Sequence, residues 1–446
     1  MNQTNRAFTA GIYTLGCKVN QYESEAIAEA LAAEGVTILP PHQTADAYII
    51  NTCTVTAESD RKARQFIRRA IKKNPSAVIA VTGCLAQTAP ETLARIEGVD
   101  VIVGNTDKLF AAREVLTLLR EGRKNASPFL HVRPIEGAPF EPMCIRTFGR
   151  TRAYVKIEDG CENRCAYCII PAARGLVRSK PTEEVVAEVR ALTEGGCREV
   201  VLTGIETASW GKDLKEGNLA SLLSAVDAVE GIGRVRLGSL DPSLIRQDFV
   251  ERISHLSSLA PHFHLSLQSG SSRVLALMRR KYNADQARAA MARLREAIPR
   301  VKFTTDVIVG FPGETEEDFQ RTEQFVREAG FLTVHIFPYS KRRGTPAERM
   351  PDQVPDEIKK ERLHRLEQVA KEARLRILTD SVRSHPLTEV LFETYEDGIA
   401  YGHTDDFLEV AVPSDRPLHG EILSVRLTDT DGNLCFGILR EKGETE

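Results

Sequence analysis

Three short apolar segments near the start of the chain each end at a cysteine, and a helical pattern follows each one. The segments are FTAGIYTLGC, DAYIINTC and AVIAVTGC, which end at Cys17, Cys53 and Cys84. Strand-like runs that alternate with helical ones predict a parallel sheet with helices on its faces. Ligand sites of such sheets lie beyond the carboxyl ends of the strands. The three thiols are therefore expected to meet in space.

A second group, Cys161, Cys165 and Cys168, has the spacing C-x3-C-x2-C. Three thiolates this close repel one another unless a cation or a cluster neutralises them. A structural zinc site usually takes four protein ligands, and no fourth Cys or His follows nearby. Three cysteines on one loop suit a [4Fe–4S] cluster with one iron left open. A zinc loop completed by a distant ligand is the alternative.

The equivalent positions of Cys17, Cys53 and Cys84 favour a second iron–sulfur cluster. The alternative is three separate core residues, since free cysteine is often buried. Cys197 and Cys435 lie beside or within predicted strands and are expected in the core, whereas Cys144 lies in a proline-containing segment and has no assignment.

The chain divides into four regions. Residues 8–120 form the α/β domain described above, and the Pro- and Gly-containing stretch 121–148 is a predicted linker. Residues 149–378 alternate strand and helix patterns, with strands at 153–157, 199–204, 234–239, 263–268, 303–310 and 333–340. Six such repeats predict a partial (β/α)6 barrel, because a complete one has eight. Residues 380–444 contain short strands typical of a small antiparallel β-barrel, so the fold class is α/β with an added β-barrel.

Composition excludes several classes of protein. The chain has 446 residues, 42% of them apolar, and a net charge of −3, as expected of a folded globular protein. No apolar run approaches the ~20 residues of a membrane span, and the N-terminus lacks a signal layout. These features predict a cytoplasmic protein without a membrane partner. Nine cysteines there favour metal or redox chemistry over structural disulfides.

The C-x3-C-x2-C loop resembles that of the radical S-adenosylmethionine (SAM) enzymes. The whole arrangement resembles the methylthiotransferases, which combine a three-cysteine domain, a radical SAM barrel and a terminal TRAM barrel. Within that family, TLGCKVNQYES and RTRAYVKIEDGCENRCAYCIIPAARG most resemble the branch that acts on threonylcarbamoyladenosine (t6A) in tRNA.

The resemblance implies two [4Fe–4S] clusters, SAM and a defined set of site residues. Cys161, Cys165 and Cys168 would hold the cluster that cleaves SAM to a radical able to remove the hydrogen at C2 of adenine. Cys17, Cys53 and Cys84 would hold the auxiliary cluster that delivers sulfur. The positions that match the SAM pocket are Gly204, Ser239, Asp241, Gln268, Asp306 and Gly310. An electron donor such as flavodoxin or ferredoxin is implied, and the sulfur source stays unknown.

The implied reaction gives the 2-methylthio form of t6A at position 37, in the tRNA anticodon loop, where unpaired bases can be splayed out. A basic helix after Cys53 could contact phosphates. The candidate residues on this helix are Arg61, Arg64, Arg68, Arg69 and Lys72. Further candidates elsewhere in the chain are Arg342 and the basic runs 279–281 and 341–343.

Three alternatives stay open. Residues 384–446 contain 14 acidic and 4 basic residues, which favours a basic substrate such as a ribosomal protein aspartate over RNA. Isopentenyladenosine tRNA is the second alternative substrate. A non-enzymatic RNA-binding protein with structural zinc is the third.

Overall fold

The computed structural model describes residues 7–215 and 217–440. Residues 441–444 of the predicted terminal barrel lie outside the described residues. No helix in the described part of the chain is long and apolar enough to cross a membrane.

The N-terminal domain is a six-stranded parallel sheet in the order β2-β1-β3-β4-β5-β6. Its strands are β1 Thr9–Thr14, β2 Thr37–Leu39, β3 Ala47–Thr52, β4 Val78–Gly83, β5 Val101–Val103 and β6 Phe129–His131. Its helices are α1 Lys18–Ala33, α2 Ala57–Lys73, α3 Cys84–Thr88, α4 Pro90–Ala94 and α5 Leu109–Glu121. The α/β class is confirmed, and part of the predicted linker, β6, forms an edge strand of this sheet.

Helices on both faces explain why the central strands are apolar throughout. Every residue of β3 and β4 is buried. A parallel strand covered on both sides reads as a continuous apolar run. Helix α2 instead buries one stripe, Ala63, Ile67 and Ala70, and its start is capped by Thr56, whose side chain accepts a bond from the Ser59 amide. Its other faces carry the basic side chains.

The second domain is an open barrel of six parallel strands. The barrel strands are β7 Ala153–Lys156, β10 Glu199–Thr203, β11 Arg234–Leu237, β12 His262–Gln268, β13 Lys302–Val309 and β14 Thr333–Pro338, and a small hairpin adds β8 Glu158–Asp159 and β9 Arg178–Ser179. The helices are α6 Ile170–Arg174, α7 Thr182–Glu194, α8 Leu219–Asp227, α9 Gln247–Ile253, α10 Ser272–Leu277, α11 Ala284–Ala297, α12 Glu316–Ala329 and α13 Asp356–Ser384. Short 3-10 helices cover Thr207–Ser209, Pro242–Leu244 and Pro346–Arg349. Isolated parallel bridges join the halves β7-β10-β11 and β12-β13-β14.

Successive side chains of each strand point to opposite faces of the sheet, which gives this barrel an apolar outer face and a polar lumen. Val200, Leu202, Val235 and Leu237 pack into the core beneath the helices. The intervening residues face the opposite side, where Glu199 pairs in register with Arg234 and Val201 with Arg236. The six strands predicted from the sequence are all present.

The C-terminal domain is a closed five-stranded barrel in the order β15-β16-β17-β19-β18. Its strands are β15 Leu387–Glu396, β16 Ile399–Thr404, β17 Glu409–Pro413, β18 Ile422–Thr430 and β19 Cys435–Leu439. It packs against the amino-terminal end of the open barrel, where Phe407 stacks on His262 at a ring separation of 4.4 Å. The guanidinium of Arg236 lies 4.8 Å from the centre of the same Phe407 ring.

Candidate active site

The first three-cysteine group lies at the carboxyl edge of the N-terminal sheet. Cys17 precedes the first residue of α1, Cys53 follows β3 directly, and Cys84 is the first residue of α3 after β4. Glycine is needed before two of them. A Cβ on Gly16 would lie 2.7 Å from the Cys53 Cβ, and one on Gly83 would lie 2.3 Å from a backbone oxygen of β3.

The three thiols of this group act on one another electrostatically. Burial raises the pKa of Cys53 to about 12, with further contributions from Cys84 and Cys17. Burial also raises the pKa of Cys17, although Arg174 opposes it. Three thiols at one sheet edge can exchange their protons for a metal centre. The topology therefore brings together the three cysteines that the strand-end pattern predicted.

A buried ionic network joins this cysteine group to the barrel. Arg174, fully buried on α6, bonds Glu23 of α1 at 2.9 Å and Asp159 of β8 at 2.9 Å. Its Nε lies 3.4 Å from the Cys84 Sγ. Lys156 also bonds Glu23, at 2.8 Å. Sequence reasoning missed Arg174, because its partners lie far away in the chain.

The electrostatics of the network keep its acids charged. Burial raises the pKa of Glu23, but Arg174, Lys108 and Lys156 more than offset this, so the pKa lies well below its usual range. The network therefore fixes α1, with Cys17 at its start, against the barrel through paired buried charges.

The second group, Cys161, Cys165 and Cys168, lies on the loop between β8 and α6 at the carboxyl end of the barrel's first strand. Burial raises the pKa of Cys161 and of Cys168 to about 12. Arg280, after α10, places Nη1 3.2 Å from the Cys165 Sγ and Nη2 2.8 Å from a carboxylate oxygen of Asp241. This cation ties the loop to a neighbouring strand end.

The dimensions of both groups argue against mononuclear zinc. Thiolates on one tetrahedral zinc lie about 3.8 Å apart, given a Zn–S distance of about 2.3 Å. Within the residues that the structure describes, one trio of His, Cys, Asp or Glu has ligand atoms all within 4.8 Å of one another, and it is His264, Asp306 and His335. Neither cysteine group is that compact. All nine cysteines are free, so each group offers three thiols to a larger centre.

The residues predicted for SAM lie on the barrel strands or just beyond their carboxyl ends. Gly204 follows β10, Asp241 follows β11, Gln268 ends β12 with a φ of 68°, and Gly310 follows β13. Ser239 is half-buried beside Asp241. Asp306 differs, because it lies within β13 and faces the lumen, where its carboxylate is 3.2 Å from His264 Nε2. Their roles toward SAM stay predictions.

A cavity of about 310 Å³ opens next to the cysteine loop, and Asp241, Asn163 and Glu206 are among its lining residues. Asn163 donates to Glu206 at 2.8 Å. Burial, reinforced by Asp241, raises the pKa of Glu206 to about 7. Sequence reasoning missed Glu206, although its place two residues after Gly204 was a usable signal.

Lys18 is the first residue of α1 and directly follows Cys17. It is solvent-accessible, yet burial by surrounding protein lowers its pKa to about 8, and the charges of Arg236 and Arg152 lower it further. The carboxylate of Asp306 acts in the opposite direction and raises this pKa. Charges carried by three barrel residues therefore act on this ammonium.

The RNA candidates separate into two sets. The α2 residues Arg61, Arg68, Arg69 and Lys72 are exposed and Arg64 is half-buried, so their contact with RNA stays a prediction. RNA contact by Arg342 also stays a prediction. Its guanidinium donates across the domain boundary to the Thr54 hydroxyl at 2.6 Å and to the Asp60 carboxylate at 2.8 Å. The prediction for Arg280 is wrong, because its guanidinium is buried against Cys165 and Asp241.

Residues 155–326 match the Radical SAM superfamily, and residues 9–104 match the uncharacterized protein family UPF0004. The chain is 43% identical over 426 residues to a threonylcarbamoyladenosine tRNA methylthiotransferase, MtaB, of Bacillus subtilis, covering 94% of this chain and 93% of the relative. The chain belongs to the radical SAM methylthiotransferase family. A tRNA-2-methylthio-N6-dimethylallyladenosine synthase of Akkermansia muciniphila is 35% identical, covering 96% of this chain and 98% of that relative.

Solved structures agree on the fold of this methylthiotransferase. A radical SAM methyltransferase, TsrM of Kitasatospora setae, aligns with a TM-score of 0.54 at 16% identity, covering 77% of each chain. The chain is thus a radical SAM enzyme that transfers a sulfur-containing group, and membership implies a [4Fe–4S] cluster and SAM. The predictions of family, fold class and enzyme type are confirmed.

Proposed function

We propose that this methylthiotransferase converts t6A at position 37 of tRNA to its 2-methylthio form with two [4Fe–4S] clusters. Cys161, Cys165 and Cys168 would hold one cluster, and Cys17, Cys53 and Cys84 the other. When bound, the clusters and SAM supply a carbon-centred radical, a methyl group and the sulfur. The observation that carries the proposal is a buried network that joins Cys84 and α1 to β8 and α6, the elements on either side of the second cysteine loop, in a chain 43% identical to a relative that bears the t6A name.

The chain's own residues bind, orient and exclude water. Arg280 holds the Cys165 loop against Asp241, a residue at the mouth of the SAM cavity. Glu206 and Asn163 place an acid and an amide on the wall of the same cavity, where the amino group of SAM needs acceptors. The Arg174 network fixes the position of α1 against the barrel. Because Arg174, Glu23 and Asp159 are buried, bulk water is excluded from their ionic contacts.

The remaining partners follow from the chemistry. The exposed face of α2 lies next to Cys53 and offers cations to the phosphates of an anticodon loop. A one-electron donor of the flavodoxin or ferredoxin kind must reduce the cluster. A tRNA substrate and free thiols both support a reaction in the cytoplasm.

The test is mass spectrometry of tRNA nucleosides from the native host, with and without the gene. We expect the 2-methylthio form of t6A to disappear and t6A to accumulate. If the isopentenyladenosine counterpart disappears instead, the substrate is wrong while the chemistry stands.

The acidic terminal barrel favours one other substrate, a basic protein. Its strands and turns expose acids such as Glu396, Asp429 and Asp431, which phosphates avoid. If no tRNA nucleoside changes in the deletion strain, a mass increase on a ribosomal protein aspartate is the result that this alternative expects.

A further inference from the structure

Phe337, on β14, faces the lumen of the open barrel. The residues that alternate with it, Val334 and Ile336, pack against the core beneath the helices. Because successive side chains of a strand point to opposite faces, His335 and Phe337 lie together on the lumen face. The ring of His335 is 5.9 Å from the ring of His264 on β12, which confirms that this face looks inward across the sheet.

The Phe337 ring is uncovered. Its side chain is 44% exposed, and within the part of the chain that the structure describes no other aromatic ring and no cation packs on it. Single exposed apolar side chains are common on the outer surface of a protein and need no explanation. Phe337 differs from them, because it leaves a bare ring on the inner wall of a barrel.

On one side, the neighbouring strand connects Phe337 to the cysteine loop of the barrel. Ile308 of β13 pairs in register with Phe337. Ile308 packs against a buried cluster of side chains that includes Ala166, the residue directly after Cys165. Phe337 is therefore one strand away from side chains that pack on this loop.

On the other side, the chain after Phe337 leads to the cysteine group of the N-terminal domain. Three residues further on, the Ser340 hydroxyl accepts a hydrogen bond from the Ala57 amide at 3.1 Å. Three residues span at most about 11 Å of extended chain. Val55 lies between this contact and Cys53, donates its amide to the Cys53 Sγ at 3.5 Å, and has a side chain that is 48% exposed. The junction of the two domains thus carries two uncovered apolar side chains near Cys53.

We propose that Phe337 is a substrate-binding residue, on whose ring the adenine of the target nucleotide stacks. The inference rests on the proposed function, in which C2 of that adenine reacts at both the SAM site and the auxiliary centre. The base must therefore lie between the two cysteine groups, and Phe337 presents its bare ring there. Bases that are splayed out of RNA loops stack on aromatic side chains.

The charges beside the ring favour a nucleic acid as the occupant. Proteins bind single-stranded nucleic acid with cations that follow the backbone and aromatic side chains that stack on the bases. Helix α2 begins at Ala57, the residue that bonds Ser340, and it carries exposed arginines and lysines. The domain junction therefore offers both parts of such a site.

The experiment measures the affinity of the reconstituted enzyme for two anticodon stem-loops. One stem-loop carries t6A at position 37, and the other is abasic at that position. The enzymes are the wild type, Phe337→Leu, Phe337→Tyr and, as matched control, Phe436→Leu. Phe436 lies on β19 of the terminal barrel and is 41% exposed, close to the exposed fraction of Phe337. Iron content is measured for each enzyme.

We expect the wild type and the Phe436→Leu control to bind the t6A stem-loop about 5- to 100-fold more tightly than the abasic one, the range of a base stacked on an aromatic ring. Phe337→Leu should lose this preference through weaker binding of the t6A stem-loop alone, because the abasic one has no base to stack. Phe337→Tyr keeps a ring and should retain the preference.

A fluorescence measurement decides the question if Phe337→Leu lacks iron. The chain has one tryptophan, Trp210, which is buried. In the Phe337→Trp variant, the fluorescence of the added indole should be quenched by the t6A stem-loop and not by the abasic one. Equal quenching by both stem-loops would contradict the inference.

Equal affinity of the wild type for both stem-loops also overturns the inference. So does a Phe337→Leu enzyme with full iron content that keeps the preference or loses affinity for both stem-loops equally, because neither result depends on a stacked base. A wild type that binds neither stem-loop overturns the proposed function instead.

Discussion

The chain brings together two groups of three cysteines in two different ways. Cys161, Cys165 and Cys168 share one loop, so the chain places them together wherever that loop folds. Cys17, Cys53 and Cys84 come from three strand ends and meet only because β1, β3 and β4 are neighbours in one parallel sheet. The first group, Cys161, Cys165 and Cys168, depends on local spacing and is called the local group. The second, Cys17, Cys53 and Cys84, depends on tertiary structure and is called the dispersed group.

The difference also appears in what surrounds the thiols. Arg280 contacts the local group and is bonded to a neighbouring strand end. Arg174 contacts the dispersed group and joins two domains through Glu23 and Asp159. We infer that the dispersed group is the more sensitive of the two to changes elsewhere in the molecule.

The largest expected effect comes from breaking the local group. Cys165→Ala removes one of three ligands on a single loop, so this cluster cannot form and SAM cleavage should fall to background. The measurement is 5′-deoxyadenosine formation together with iron content. Cys197→Ala, a change at a buried core cysteine, is the control and should retain both.

Removing one cysteine of the dispersed group should separate SAM cleavage from methylthiolation. Cys53→Ala removes a ligand of the auxiliary centre and leaves the barrel loop intact. We expect continued release of 5′-deoxyadenosine without methylthiolated product, measured by mass spectrometry of the same reaction. Product at the wild-type level from this variant would refute the two-cluster assignment.

The network between the groups is the next test. Arg174→Met leaves Glu23 and Asp159 buried with less compensation, which should cost about 3–5 kcal/mol of unfolding free energy. Denaturant unfolding measures this. The control Arg120→Met breaks an exposed pair with Glu34 and should cost at most about 1 kcal/mol. Equal effects of the two substitutions would show that the network does not stabilise the domain contact.

The smallest effect concerns RNA rather than chemistry. Replacing Arg68 and Lys72 on α2 by Gln should weaken tRNA binding several-fold and reduce the slope of log affinity against log salt by about 1 for each phosphate that is no longer bound. Filter binding across a salt series measures it. Arg113→Gln with Arg120→Gln removes the same charge from α5, and an identical change in slope would exclude a specific role for α2.

Prediction from sequence succeeds where a pattern is long enough to show its period. The six barrel strands and the first three cysteine-terminated strands all lie where the sequence predicts them. The three-residue strands β2, β5 and β6 escape prediction, because so few residues cannot display an alternation. In the terminal barrel, residues 399–413 form two strands, β16 and β17, with the turn at Asp405 and Asp406.

Local patterns along the chain were enough to define the C-x3-C-x2-C loop, the order of strands and helices, and hence the family, because spacing and periodicity are properties of neighbouring residues. Long-range packing alone established that Arg174 lies against Cys84 and that Arg280 is buried against Cys165 rather than free for RNA. Those contacts join residues far apart in the chain. Their cause is the packing of one domain against another and the pairing of buried charges such as Arg174, which no local pattern records.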